Sequence, residues 1–314
     1  MKSLTLFFFI YLIFIINQVM TYSQSGGEFD YFGQTPPGNI PEVFAPDFIS
    51  INSSRERSLA VSPDGDEVFF CRVSFPYNKI YQTIKTDTGW TTPSIAEFSK
   101  DIWATEPSFS PDGQYLYFSS SKGKPSADDY SLWRVKKNGT GWGEPEFLID
   151  ITENNILEFH PQVTSDGSLY FCYWQGNAGK IYLSKLIDGQ YSLPVALPFP
   201  VNTQYSDTDP YVDPEGKYLI FKSTRPGGVG SDDGYISYKK DDGTWTNPKN
   251  LGTTINTTSS DDVGDISPDG KYLFFTRNND IYWIKADDLI DSLKRNLKGS
   301  NANLKITFLA NPYL

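Results

Sequence analysis

The chain has 314 residues, a formal charge of −11 from 27 Lys and Arg against 38 Asp and Glu, and aromatic side chains at 16% of positions. That acidity argues against nucleic acid or an anionic membrane surface as a partner, because both need clustered basic residues. A single histidine is too few for the imidazole-rich site of a transition metal, so no metal centre of that kind is expected.

Residues 1–23 carry Lys2, an apolar run from Leu4 to Ile16, the polar Asn17 and Gln18, and a small-residue exit near Ser23. This is the pattern of a secretory signal peptide, and its apolar run is too short for a comfortable membrane span. The expectation is cleavage near Ser23 and a mature chain that is periplasmic or secreted, without membrane insertion. Residues 24–39 read as a linker, 40–290 as a folded domain and 291–314 as a C-terminal tail. After the last blade, Asp287 to Leu293, with Leu289, Ile290 and Leu293 spaced at three and four, reads as a short helix.

From Ser62 onward a turn recurs five times between apolar strands: Ser62-Pro63-Asp64-Gly65, Ser110-Pro111-Asp112-Gly113, Thr164-Ser165-Asp166-Gly167, Asp213-Pro214-Glu215-Gly216 and Ser267-Pro268-Asp269-Gly270. Each suits a tight type I turn, with a side-chain acceptor first and Gly fourth, and Pro second in all but the third copy. A later marker recurs as Gly89-Trp90, Gly141-Trp142, Gly189-Gln190-Tyr191 and Thr244-Trp245, with Pro following. The interval from each marker aromatic to the next turn acid is nearly constant. Each repeat therefore reads as four antiparallel strands, and such units bury their faces by packing radially. The predicted fold is all-β, a single β-propeller of five blades; a sixth is possible only as a degenerate unit, for which no residues remain. The fifth copy lacks a fourth strand, and Pro41-Glu42-Val43-Phe44 supplies a spare one, so an N-terminal strand is predicted to close the ring. Cys71 and Cys172 fall at matching places in the first and third units, too far apart for a disulfide, and are expected as buried thiols.

The Ser-Pro-Asp-Gly hairpins, and above all the stretch from Ser223-Thr224-Arg225-Pro226 through Ser267-Pro268-Asp269-Gly270 to Asp280-Ile281-Tyr282-Trp283, resemble TolB-like, WD-repeat-like secreted bacterial propellers. The resemblance covers about residues 40 to 290. It implies the fold and an exported location; such rings host binding, scaffolding, lyase and glycosidase roles.

In a propeller the strand before each turn lines the central channel. Four and six positions ahead of the turns lie Glu106, His160 and Asp209, and Glu56, Glu158, Asp207 and Asp261. Glu106, Glu158, His160 and Asp209 are therefore the candidate catalytic groups, since glycoside hydrolysis needs two carboxyls about 5 to 10 Å apart. Asp207, Asp261 and Asp265, with the aromatics Trp103 and Trp174, are candidate ligand contacts. Arg72, Arg225 and Arg277 end the strands that follow the turns and could neutralise some of these acids. A Ca²⁺ site of carboxylate oxygens is open, although no regular Asp-rich loop supports it. The primary expectation is an exported, monomeric, non-catalytic propeller that binds a polysaccharide or an envelope or secreted protein. The alternatives are a glycoside hydrolase or polysaccharide lyase of external polysaccharide degradation, and an envelope scaffold.

Overall fold

The computed structural model describes residues 29–74, 77–124, 129–149, 157–176, 178–259, 261–286 and 289–295; residues 1–23, read from the sequence as a signal peptide, and most of the C-terminal tail lie outside the described residues. Each turn motif joins the first two strands of a four-stranded antiparallel blade. Blade 1 is built from Glu56–Val61, Glu67–Ser74, Tyr77–Thr86 and Ser94–Ile95. Blade 2 uses Ala104–Phe109, Tyr115–Ser120, Ser131–Asn138 and Glu146–Ile149. Blade 3 uses Leu157–Val163, Leu169–Gln175, Ala178–Ser184 and Val195–Ala196. Blade 4 uses Asp207–Val212, Tyr218–Ser223, Asp233–Tyr238 and Lys249–Asn250. Blade 5 takes Asp262–Ile266, Tyr272–Arg277 and Asp280–Lys285, and its outer strand is Glu42–Val43 from the N-terminus. The ring is thus a five-bladed propeller closed by the predicted strand, with Glu42 opposite Trp283 and Val43 opposite Tyr282.

The turn chemistry explains the repeat. In the first copy Gly65 N–H donates to the Ser62 carbonyl at 2.9 Å, and Gly65 sits at φ 75°, where a side chain would be strained. Ser62 Oγ donates to Asp64 and accepts from Glu67 N–H at 2.9 Å, so one hydroxyl ties both ends of the hairpin together. Ser110 and Ser267 repeat that pattern. In the fourth copy the Asp213 carboxylate replaces the hydroxyl and accepts from Glu215 and Lys217 N–H.

The later aromatic marker is a wedge between blades. Trp142 of blade 2 packs on Phe69 of blade 1 and donates to Glu67 Oε2 at 3.0 Å. Tyr191 of blade 3 meets Tyr117 of blade 2, and Trp245 of blade 4 enters a cluster with Tyr170 and Ile181 of blade 3. At the seam between blades 5 and 1 the segment read as a linker supplies the filling. Phe29 and Phe32 pack against Trp90, while Tyr31 lies on Trp283 and donates to Asp269. Phe29 and Tyr31 are buried with Phe44 in one cluster. Residues 289–295 are helical, and Leu289, Ile290 and Leu293 pack against the cluster shared by blades 4 and 5. Cys71 and Cys172 are free and buried.

Because ring closure relies on this N-terminal seam, Phe44→Ala should remove about 3–5 kcal/mol of stability, read by urea denaturation. A loss no larger than that of an exposed aromatic would show that the strand is not the latch.

Candidate functional site

Five innermost strands converge on the channel, and each carries a bulge. In blades 1 to 4 the register shifts after Arg57, Thr105, Phe159 and Thr208. The residue that follows takes a left-handed backbone: Ser58 at φ 51°, Glu106 at 58°, His160 at 53° and Asp209 at 49°. Such a conformation costs on the order of 1–3 kcal/mol at a non-glycine residue, so it persists only where neighbours enforce it. The enforcement is visible at Glu106, whose N–H donates to the buried Cys71 Sγ at 3.2 Å. Blade 5 has the β-branched Val263 at this position, and there the shift falls one residue later, at Gly264 and Asp265. A Cβ on Gly264 would lie 2.8 Å from the Phe274 carbonyl oxygen, which is why the displaced bulge holds a glycine.

The bulges turn consecutive residues toward one cavity of about 300 Å³, at the lower end of the range of roughly 300–1,000 Å³ for small-molecule sites. All five blades line it. Its wall is a chain of alternating charge. Arg57 of blade 1 pairs with Glu106 of blade 2 at 3.1 Å, and Glu106 with His160 of blade 3 at 3.2 Å. His160 lies 3.7 Å from Asp209 of blade 4, which Lys222 approaches at 3.4 Å. Lys222 also pairs with Asp262 of blade 5 at 2.7 Å, and the field of Asp262 acts in turn on Arg57. Toward the turns, Gln162 of blade 3 donates to Asp265 of blade 5 at 2.9 Å, a bridge across the channel between non-adjacent blades. At the other end Leu157, Tyr130 and Trp174 form the rim. Gly179, opposite Trp174, makes room for the indole: a Cβ there would come 2.7 Å from the ring.

Burial raises the Glu106 carboxyl, but His160 and Arg57 more than offset it and hold it down at about 2. Burial likewise depresses His160, and Glu106 with Asp209 reverses this and lifts it to about 9, so the imidazole is charged at neutral pH. The linked stability has opposite signs: His160 contributes fully below its ordinary 6.5 and loses the contribution as pH rises through about 9. Glu106 contributes above its ordinary 4.5 and loses it as pH falls through about 2. Lys222, pulled down by burial, is raised overall by Asp209 and Asp262. Asp265 is different, because burial dominates there and pushes its carboxyl up to about 7.

Of the candidates read from the sequence, the structure brings Glu106, His160, Asp209, Asp265 and Trp174 to the cavity. Asp207, Asp261, Glu158 and Trp103 do not line it. Asp207 is fully buried, pairs with Arg225 at 2.7 Å and accepts from Thr203 N–H, clamping the loop ahead of its own strand. Asp261 accepts from Thr257 in the same way, and Glu56 pairs with Arg72 at 3.2 Å. Arg225 and Arg277 reach the carbonyls of the preceding loop as well, at Val201 and Ile255. Glu158 is buried, with its N–H on the Tyr130 carbonyl, and Trp103 stacks edge-on with Tyr130. Sequence reasoning missed Arg57, Lys222 and Asp262, the groups that complete the charged wall. Among the described residues no cluster of His, Cys, Asp and Glu converges to hold a metal ion.

Removing the buried Asp207 carboxylate leaves the largely buried Arg225 guanidinium without its counter-charge. Asp207→Asn should therefore cost about 3–5 kcal/mol of unfolding free energy, measured in denaturant, while leaving any ligand affinity of the folded protein unchanged.

No family model matches the chain, and no curated protein does. Solved structures do. A protein assigned as TolB from Agrobacterium tumefaciens superposes with a TM-score of 0.50 at 16% identity, covering 72% of this chain and 72% of that one. TolB from Acinetobacter baumannii gives 0.49 at 18% identity, covering 74% of this chain and 55% of the other. A puromycin-hydrolyzing peptidase of Mycobacterium tuberculosis gives 0.42 at 14%, with 70% of this chain and 34% of the peptidase covered. At such identities the likeness shows the fold alone, that of a β-propeller.

Proposed function

We propose that the chain is an exported, non-catalytic propeller that binds a glycan in the aromatic-rimmed cavity of its channel. The observation that carries this reading is the pairing inside the wall. Glu106 and Asp209, the carboxylates best placed for chemistry, are each held between two cations, an arrangement that suits fixed charge better than proton transfer. What remains accessible is a polar wall of fixed donors and acceptors beneath an indole, a combination suited to sugar hydroxyls and an apolar ring face. Export rests on the signal-peptide pattern of residues 1–23.

A second reading, a glycoside hydrolase, is favoured by one observation: Asp265 holds its proton to about 7 while Glu106 stays ionised down to about 2, a split of the kind that separates acid from base. The two readings part on turnover.

Purified protein screened by thermal shift against a polysaccharide panel should show a saturable rise in Tm with at least one glycan, and Trp174→Ala should abolish that rise while leaving the protein folded. Absence of any shift across the panel contradicts glycan binding. Chain cleavage that disappears in Asp265→Asn replaces the binding reading with the enzyme.

A further inference from the structure

The charged wall of the cavity balances itself, and one acid is left over. Arg57, His160 and Lys222 match Glu106, Asp209 and Asp262 one for one. Asp265 stands outside this chain. Its hydrogen bond is to the neutral amide of Gln162, and among the described residues no cation comes within ion-pair distance of it. It nonetheless lines the same cavity, as do the aromatic rings of Phe159, Trp174 and Tyr211. An unmatched carboxyl in a cavity whose other charges are already paired attracts an organic ammonium through a charge-assisted hydrogen bond.

We infer that the glycan carries a protonated primary amine, as a 2-amino-2-deoxyhexose unit does, and that this ammonium seats against Asp265 on the floor of the cavity. The inference rests on the glycan reading and names its substrate class. The neighbours of Asp265 agree with it. Gln162 fixes Oδ1 from across the channel, which leaves Oδ2 for the ligand. His160, the charged group whose field reaches Asp265, is already held by Glu106 and Asp209. Burial lifts the Asp265 carboxyl to about 7, so near neutral pH it ionises readily beside a cation. A neutral sugar offers no such compensation. Acidic glycans are disfavoured, since the cations of the wall are all engaged.

The test compares β-1,4-linked tetramers of glucosamine and of glucose, which differ only in a titratable amine, protonated against a carboxylate, in place of a hydroxyl at each C2, by titration calorimetry at pH 7 on the full mature protein. The glucosamine chain should bind on the order of tenfold tighter or more, the worth of one charge-assisted hydrogen bond. In Asp265→Asn the amide oxygen still accepts from Gln162, so the Tm should hold while the preference vanishes. Equal affinity of the two chains for the wild type overturns the inference and leaves glycan binding standing. A preference that survives in Asp265→Asn overturns it as well. Failure of every glycan, these two and the wider panel, to bind removes the glycan reading and the inference with it.

Discussion

Closing five twisted sheets into a ring forces their first strands together at the axis, and whatever charge those strands carry must be balanced there. Water cannot do all of the balancing in so narrow a channel, where an unpaired ion costs several kcal/mol. The chain meets this constraint with partners from different blades: Arg57 on Glu106, Glu106 on His160, His160 on Asp209, and Lys222 between Asp209 and Asp262. Each link but one crosses a blade boundary. The polar wall therefore specifies the register of the blades as well as the chemistry of the cavity, and it holds the left-handed residues Glu106, His160 and Asp209 in three of the innermost strands.

Outside the axis, closure depends on apolar wedges. The marker aromatic of each of blades 2, 3 and 4 fills the seam with the blade before it, and Trp90 of blade 1 meets Phe29 and Phe32 from the N-terminal segment. The outer strand of blade 5 comes from that same segment, so the two ends of the propeller are joined by hydrogen bonds and by packing together. The arginines that end the second strands clamp the entering loops, with Arg225 on Asp207 and Arg72 on Glu56. These devices hold the scaffold and leave the axial cavity to recognise a ligand.

The blade count, the turns and the closing strand were legible in the sequence because each is local: the turn needs Gly at positive φ, the hairpin needs a hydroxyl or carboxylate at its first residue, and the spacing repeats. The site was legible only in part. Positions four ahead of the turn gave Glu106, His160 and Asp209, whereas positions six ahead gave Asp207 and Asp261, which serve loops rather than the channel. Strict alternation of a pleated strand predicts that both sets share a face. The bulge breaks that alternation, so that Thr208, Asp209 and Pro210 line the cavity in succession while Asp207 turns away. For the same reason Arg57 and Asp262, which alternation assigns to the other face, went unrecognised, as did Lys222 on the second strand. A bulge at a non-glycine residue leaves little local signature, since its left-handed backbone is imposed by tertiary contacts.

The lone histidine reports directly on the alternating charge around the channel. In untagged protein the His160 imidazole resonances can be followed by NMR from pH 5 to 10 without ambiguity of assignment. The structure predicts a midpoint near 9, moved down in Glu106→Gln, because the carboxylates of Glu106 and Asp209 stabilise the imidazolium. A midpoint at or below the ordinary 6.5, unchanged in Glu106→Gln, would mean that His160 is not a member of a charged chain and would contradict the account.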